Sequence, residues 1–227
     1  MMVMDKKIVK TFYGTQEIPY LVCMVPIIHL YEKLASRFGS PEERKGWYRN
    51  FYGLTPQGRE MMIVKTNLGN TVVDPILTMN QGDHFLFHFG YCGGLHSEMR
   101  LGCVTIATDS RFEDGEVIYT PKSHPILSQL PISEHVFLGR NVTVESILRE
   151  DDVLRRSHDV ASVDQETGYL YRESSNPALS LMVVSDLPFW KPFYQLKKSD
   201  FSNVEKGVEY AISLIIKLAD ILGTKND

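Results

Sequence analysis

Two acids in this chain sit where a charge without a partner is costly: Glu166, within "SVDQETGYLY", and Asp186, within "LMVVSDLPFW". Each lies beside an apolar element, so each is a candidate working carboxyl as well as a candidate helix cap or surface ion pair. A third feature is the glycine cluster Gly90-Tyr91-Cys92-Gly93-Gly94, which follows the apolar run "FLFHF". Glycines directly after a strand let the backbone approach a ligand and aim N–H groups at negative charge, so the cluster reads either as an anion cradle or as a turn between two core strands. The seven histidines have no metal-ligand spacing, and no metal site is expected. The aromatic stretch "DLPFWKPFYQLKK" could place Phe189, Trp190 or Phe193 over a flat ligand, or pack them into the core.

The elements that would position these groups can be read from periodicity. "YLVCMV" is a short continuous apolar run, as expected of a strand covered on both faces, and Pro26 ends it. Ile27, Leu30, Tyr31, Leu34 and Phe38 then recur at helical spacing, which predicts an amphipathic helix closed by Gly39. "REMMIVKTN", "DHFLFHFGY" and "RLGCVTIATDS" read as strands. "SHPILSQLPISEHVFLGRNVT" reads as a short helix and a strand, and the charged segment from Val144 to Arg156 is left unassigned. "DVASVDQETGYLYRES" passes from a short strand into a helix, and "ALSLMVVSDLPFW" supplies one more buried strand. Ser202 and Glu205 have capping-box spacing and open a long terminal helix with the stripe Val208, Ala211, Ile215, Leu218 and Leu222, finished by Gly223. Strands alternating with helices predict one α/β domain over 1–227, with 1–15 and 224–227 loosely ordered.

Composition narrows the partners. With 227 residues, 43% of them hydrophobic and 23% charged, the chain can bury a continuous core. A formal net charge of −4 and a pI near 6.0 argue against general affinity for nucleic acid or anionic membrane, so any anion must be bound locally. No apolar run approaches the length needed to cross a bilayer, and "MMVMDKKIVKTFYG" has charge where a signal peptide needs its apolar core, so the cytoplasm is the expected compartment. Cys23, Cys92 and Cys103 are expected as buried free thiols.

Taken in order, "FGYCGGLHSEMRLGCVTIATDS", "SVDQETGYLY" and "LMVVSDLP" together resemble the nucleoside phosphorylase and nucleosidase superfamily, and "YRNFYGLTPQGREMMIVKTNLG" is similar to its segment holding an arginine before a strand hairpin. The resemblance runs from about Tyr20 to Leu222. It implies a single-domain three-layer α/β/α fold with a twisted mixed central sheet. It also implies cleavage of the N-glycosidic bond of a nucleoside, in a homo-oligomer (dimer or hexamer), with no cofactor and with phosphate as co-substrate.

By the same resemblance Glu166 and Gln165 bind the ribose, Gln165 standing where the family usually has methionine. Asp186 shares a proton with the departing base, with Ser185, Cys92 and Gly93 beside it. That role near neutral pH requires an aspartate raised above its ordinary value by burial or a negative neighbour. Phosphate is expected near His88, Gly90 and Tyr91, and near Arg49 reaching across a dimer interface, although His88 and Tyr91 stand where phosphorylases have arginine and serine. Val25-Pro26 also replaces a glycine-rich turn, and proline has no N–H to donate. The implied reaction is phosphorolysis of a purine nucleoside. Hydrolysis by water, uridine phosphorolysis, and nucleoside binding without turnover are the alternatives.

Overall fold

The computed structural model describes residues 6–113, 115, 117–119, 124–129, 133–146 and 159–223. Ten strands form one mixed sheet. They are β1 (Leu21–Val25), β2 (Gly39–Lys45), β3 (Arg49–Leu54), β4 (Glu60–Lys65), β5 (Phe85–Gly94), β6 (Val104–Phe112), β7 (Val117–Tyr119), β8 (Val136–Thr143), β9 (Ser162–Asp164) and β10 (Ala178–Asp186). Among the described residues the α-helices are α1 (Lys6–Tyr13), α2 (Ile28–Ala35), α3 (Val73–Met79), the short α4 (His124–Leu127), α5 (Thr167–Glu173) and α6 (Lys198–Gly223).

The strand order is β10-β6-β8-β9-β5-β1-β4-β3-β2, and β10 also pairs with β5, so one end of the sheet closes on itself. β1 is parallel to β4 and β5, and β5 is parallel to β10, which brings the carboxyl ends of these strands to one edge. β9 meets that edge by running antiparallel to β5, with Gly93 opposite Val163.

Continuous apolar strands need cover on both faces, and the alternation along β1 shows how it is supplied. Leu21, Cys23 and Val25 join a core completed by α2 and α6, whereas Val22 and Met24 point to the opposite face and pack with Tyr13, α3 and α5. The α6 stripe expected from the sequence, Val208, Ala211, Ile215, Leu218 and Leu222, is buried against the first of these cores. Three layers result, as the motif order implies.

Three boundaries differ from expectation, each for a tertiary reason. Residues 6–13 form α1 instead of a loose end because the Tyr13 ring is fully buried and its hydroxyl lies 2.5 Å from Thr78 Oγ1. Gly39 opens β2 rather than closing the preceding helix, which stops at Ala35. α6 starts at Lys198, ahead of the capping box, because the Asp200 carboxylate accepts from the Lys197 N–H (2.7 Å) and from Lys191 Nζ (2.6 Å). Glu205 is thereby freed from a capping role and pairs with Lys33 on α2. Most of the unassigned segment from Val144 to Arg156 lies outside the described residues.

Candidate active site

A cavity of about 200 Å³ opens at the carboxyl edge of β5 and β10. β5 contributes Tyr91, Cys92 and Gly93; the turn from β9 into α5 contributes Asp164, Gln165 and Glu166; β10 contributes Ser185 and Asp186. Pro26, Ile27 and Leu68 form an apolar wall. The two acids singled out in the sequence, twenty residues apart, therefore share one cavity.

Asp186 reaches it through an irregularity in β10. The β5–β10 register shifts between Val184 and Asp186, so Ser185 is the extra residue and Asp186 stands opposite Gly93. The Ser185 hydroxyl donates to Asp186 Oδ1 (3.1 Å) and reaches the Cys92 carbonyl (3.3 Å). Burial raises the Asp186 carboxyl above its ordinary value of 3.8, opposed by the Ser185 hydroxyl and the Phe193 N–H. Phe193 belongs to the aromatic stretch after β10, where Phe189, Trp190, Phe193 and Tyr194 are exposed and not part of the core. Lys191 is committed to Asp200.

Glu166 precedes the first turn of α5 and is buried, its Oε1 accepting from the Gly69 N–H at 2.7 Å. Burial, reinforced by the nearby Asp164 carboxylate, pushes Glu166 up to about 8 against the pull of backbone N–H groups from Gly69 and Gln165. Asp164 was not singled out in the sequence. The available signal is its place two residues before Glu166, in "VDQE", beside a buried strand.

Of the four expected phosphate residues, Tyr91 alone lines this chain's cavity. His88 is 1% exposed and absent from the cavity lining; its Nδ1 meets Ser180 Oγ at 2.9 Å, and burial pushes it down to about 4, against the pull of Asp164. A neutral ring behind the wall brings no positive charge to phosphate. Gly90 does not line the cavity either. Arg49, expected to act across a dimer interface, is outside this chain's own cavity, held by Glu43 (2.7 Å) and Glu32 (3.4 Å) above the Tyr31 ring. Tyr91 remains on the wall with its hydroxyl 2.5 Å from His29 Nε2.

The glycine cluster makes neither a turn nor an interruption, because β5 runs through it to Gly94. Steric crowding explains its two last glycines. A Cβ at Gly93 would come within 2.8 Å of both Pro188 Cγ and Val163 Cγ1, and one at Gly94 within 2.9 Å of Val184 Cγ1. Small residues here let β9 and the end of β10 close over β5.

These buried groups predict how stability depends on pH. Unfolded, Glu166 titrates near 4.5 and His88 near 6.5. Between about 4 and 6.5 the unfolded chain takes up a proton that folded His88 refuses, so stability rises with pH. Between 4.5 and about 8 the folded chain keeps a proton on Glu166 that the unfolded chain has lost, so stability falls. Raised Asp186 adds a fall in the same sense from 3.8 upward. The trends oppose one another up to 6.5, where the His88 rise is complete. From there the Glu166 fall continues to about 8. Urea midpoints of the free protein are expected to drop across that upper window in wild type and to drop less in Glu166→Gln.

No family model matches the sequence, and no curated protein matches it. Solved structures do. A uridine phosphorylase from Vibrio fischeri aligns with a TM-score of 0.75 at 16% identity, covering 89% of this chain and 91% of that one. A purine nucleoside phosphorylase from Toxoplasma gondii, in complex with immucillin-H, aligns at 0.74 and 14% identity, covering 92% and 94%. A 5′-methylthioadenosine/S-adenosylhomocysteine nucleosidase from S. pneumoniae aligns at 0.69 and 16% identity, covering 88% and 98%. At such identities the likeness is one of architecture: this chain has the fold seen in these two phosphorylases and this nucleosidase.

Proposed function

We propose that this chain cleaves the N-glycosidic bond of a nucleoside, purine in preference to uridine, with water as the acceptor. The observation that carries the choice of acceptor is the cavity's charge. Asp164, Glu166 and Asp186 line it, and among the described residues no lysine, arginine or histidine does. A phosphate dianion entering beside three carboxyl groups would gain no compensating cation, whereas water carries no charge to offset.

The chemistry divides between the two ends of the cavity. As the bond from the sugar carbon to the base nitrogen breaks, its electron pair leaves with the base and the sugar becomes cationic. Asp186, raised by burial, is suited to hold a proton and pass it to a purine ring nitrogen. Glu166 is placed to accept from sugar hydroxyls and, in the ionised form that becomes dominant above about pH 8, to put negative charge beside the developing cation. Water then bonds to the sugar carbon and releases a proton, giving free sugar and free base.

Similar folds are found in proteins described as uridine phosphorylase, purine nucleoside phosphorylase and nucleosidase, which supports a nucleoside as the ligand. The test is incubation with inosine, adenosine and uridine in phosphate-free and phosphate-containing buffer. Base release from the purine nucleosides at the same rate in both buffers, with free ribose as co-product, is expected. Strict dependence on phosphate, with ribose 1-phosphate formed, would replace hydrolysis by phosphorolysis. Thermal stabilisation by nucleosides without any base release would leave a binding protein.

A further inference from the structure

Behind Glu166 lies a run of buried polar groups whose direction of donation is fixed by its last member. Asp164 accepts four hydrogen bonds: Oδ1 from Asn141 Nδ2 (2.7 Å) and the Thr143 hydroxyl (2.9 Å), Oδ2 from the Thr167 N–H (2.9 Å) and from the Thr167 hydroxyl. Thr167 Oγ1 is 2.7 Å from Ser180 Oγ, which is 2.9 Å from His88 Nδ1. A carboxylate only accepts, so Thr167 spends its proton on Asp164. Ser180 must then donate to Thr167, and the His88 Nδ1–H must donate to Ser180. Every dipole along this path points its positive end toward Asp164, and all of its members are buried.

Asp164 and Glu166 thus differ in kind, although both line the cavity. Asp164 has two donors on each oxygen, and little accepting capacity remains for a ligand. Glu166 leans on backbone N–H groups and faces the same space. We propose that Asp164 is a positioning residue: saturated by four donors and lining the cavity two residues from Glu166, it adds to burial in governing when Glu166 ionises, and it does not itself take substrate hydroxyls. The role rests on the proposed function only in making Glu166 the sugar-binding group.

The other groups around Glu166 leave Asp164 as its main charged neighbour. From β5 come Tyr91 and Cys92, both raised by burial and so uncharged near neutrality. His88, lowered to about 4, is neutral as well and reaches Asp164 only through Ser180 and Thr167. From β10 comes Asp186, carried on another strand, and the turn before α3 presents Leu68 and Gly69. Gln165 and Thr167 carry no charge.

Infrared difference titration reads the Glu166 carboxyl directly, using Glu166→Gln as the blank. In wild type its midpoint is expected well above the ordinary 4.5, and a midpoint at the ordinary value overturns the proposal whatever the variants do. In Asp164→Asn the midpoint is expected to fall by about one pH unit or more, a change of about tenfold in the ionisation constant. Ser180→Ala, which cuts the path without touching the cavity, serves should the first variant fail to fold; its shift is smaller and in the same direction. Folded variants with the wild-type midpoint would make Asp164 a structural residue. The acid limb of kcat/KM against pH should move with the midpoint. A shifted midpoint in a protein that turns over no nucleoside would sink the proposed function and leave the Asp164 role intact.

Discussion

Asp186→Asn is expected to lower base release from purine nucleosides by about 10²–10⁴-fold at pH 7, the usual contribution of a placed general acid, while nucleoside binding stays within a few-fold of wild type. Asparagine keeps the shape of the side chain. Its carbonyl oxygen can still accept from the Ser185 hydroxyl and the Phe193 N–H, so the bulge at Ser185 has no reason to rearrange. What it lacks is a proton to pass on. A nitrophenyl riboside releases its aglycone as a stable nitrophenolate anion that needs no such proton, so its cleavage should survive the substitution largely unchanged. Equal losses on both substrates would mean that Asp186 shapes the cavity and takes no part in proton transfer. Binding is followed by ligand-induced thermal shift and turnover by base release.

Above about pH 8, where Glu166 is ionised, Glu166→Gln should cost about 10²–10³-fold in kcat, with kcat/KM falling at least as far, because the negative charge it removes matters most when the sugar is cationic. The amide oxygen can still take the Gly69 N–H, so the loop before α3 keeps its anchor. Nitrophenyl and purine substrates should suffer alike here, since the charge acts on the sugar they share. That pattern separates the two carboxyls: one variant distinguishes leaving groups and the other does not. A Glu166→Gln enzyme with wild-type turnover would reduce Glu166 to the cap of α5.

Most of the scaffold could be read from residue patterns, because strands buried on both faces and a single-striped helix leave strong periodic signals. β1, β5, β6, β10 and the α6 stripe are of this kind. α1 and β2 left no such signal. Tyr13 is held by Thr78, 65 residues away, and "GSPEERK" becomes a strand by pairing with β3 and not through any apolar alternation. Within the cavity, Glu166 and Asp186 could be found because acids beside apolar runs are conspicuous. Asp164 was hidden because its importance lies in partners from β8, α5, β10 and β5 that only the closed part of the sheet brings together. His88 and Arg49 show the converse: position in a motif says nothing of whether a side chain faces inward to Ser180 or outward to Glu43.

The join of β10 to β5 has a mechanical consequence. The two working acids are mounted on the two staves of a hoop that flank β5, one at the end of β10 and one just beyond β9. A hoop has no free end to swing, so the gap between the acids is set before any ligand arrives. Adapting such a frame to a bulkier base or sugar would fall to the side chains and loops around its mouth, Leu68 and the exposed aromatics after β10 first among them, while the span between proton donor and sugar anchor stays constant.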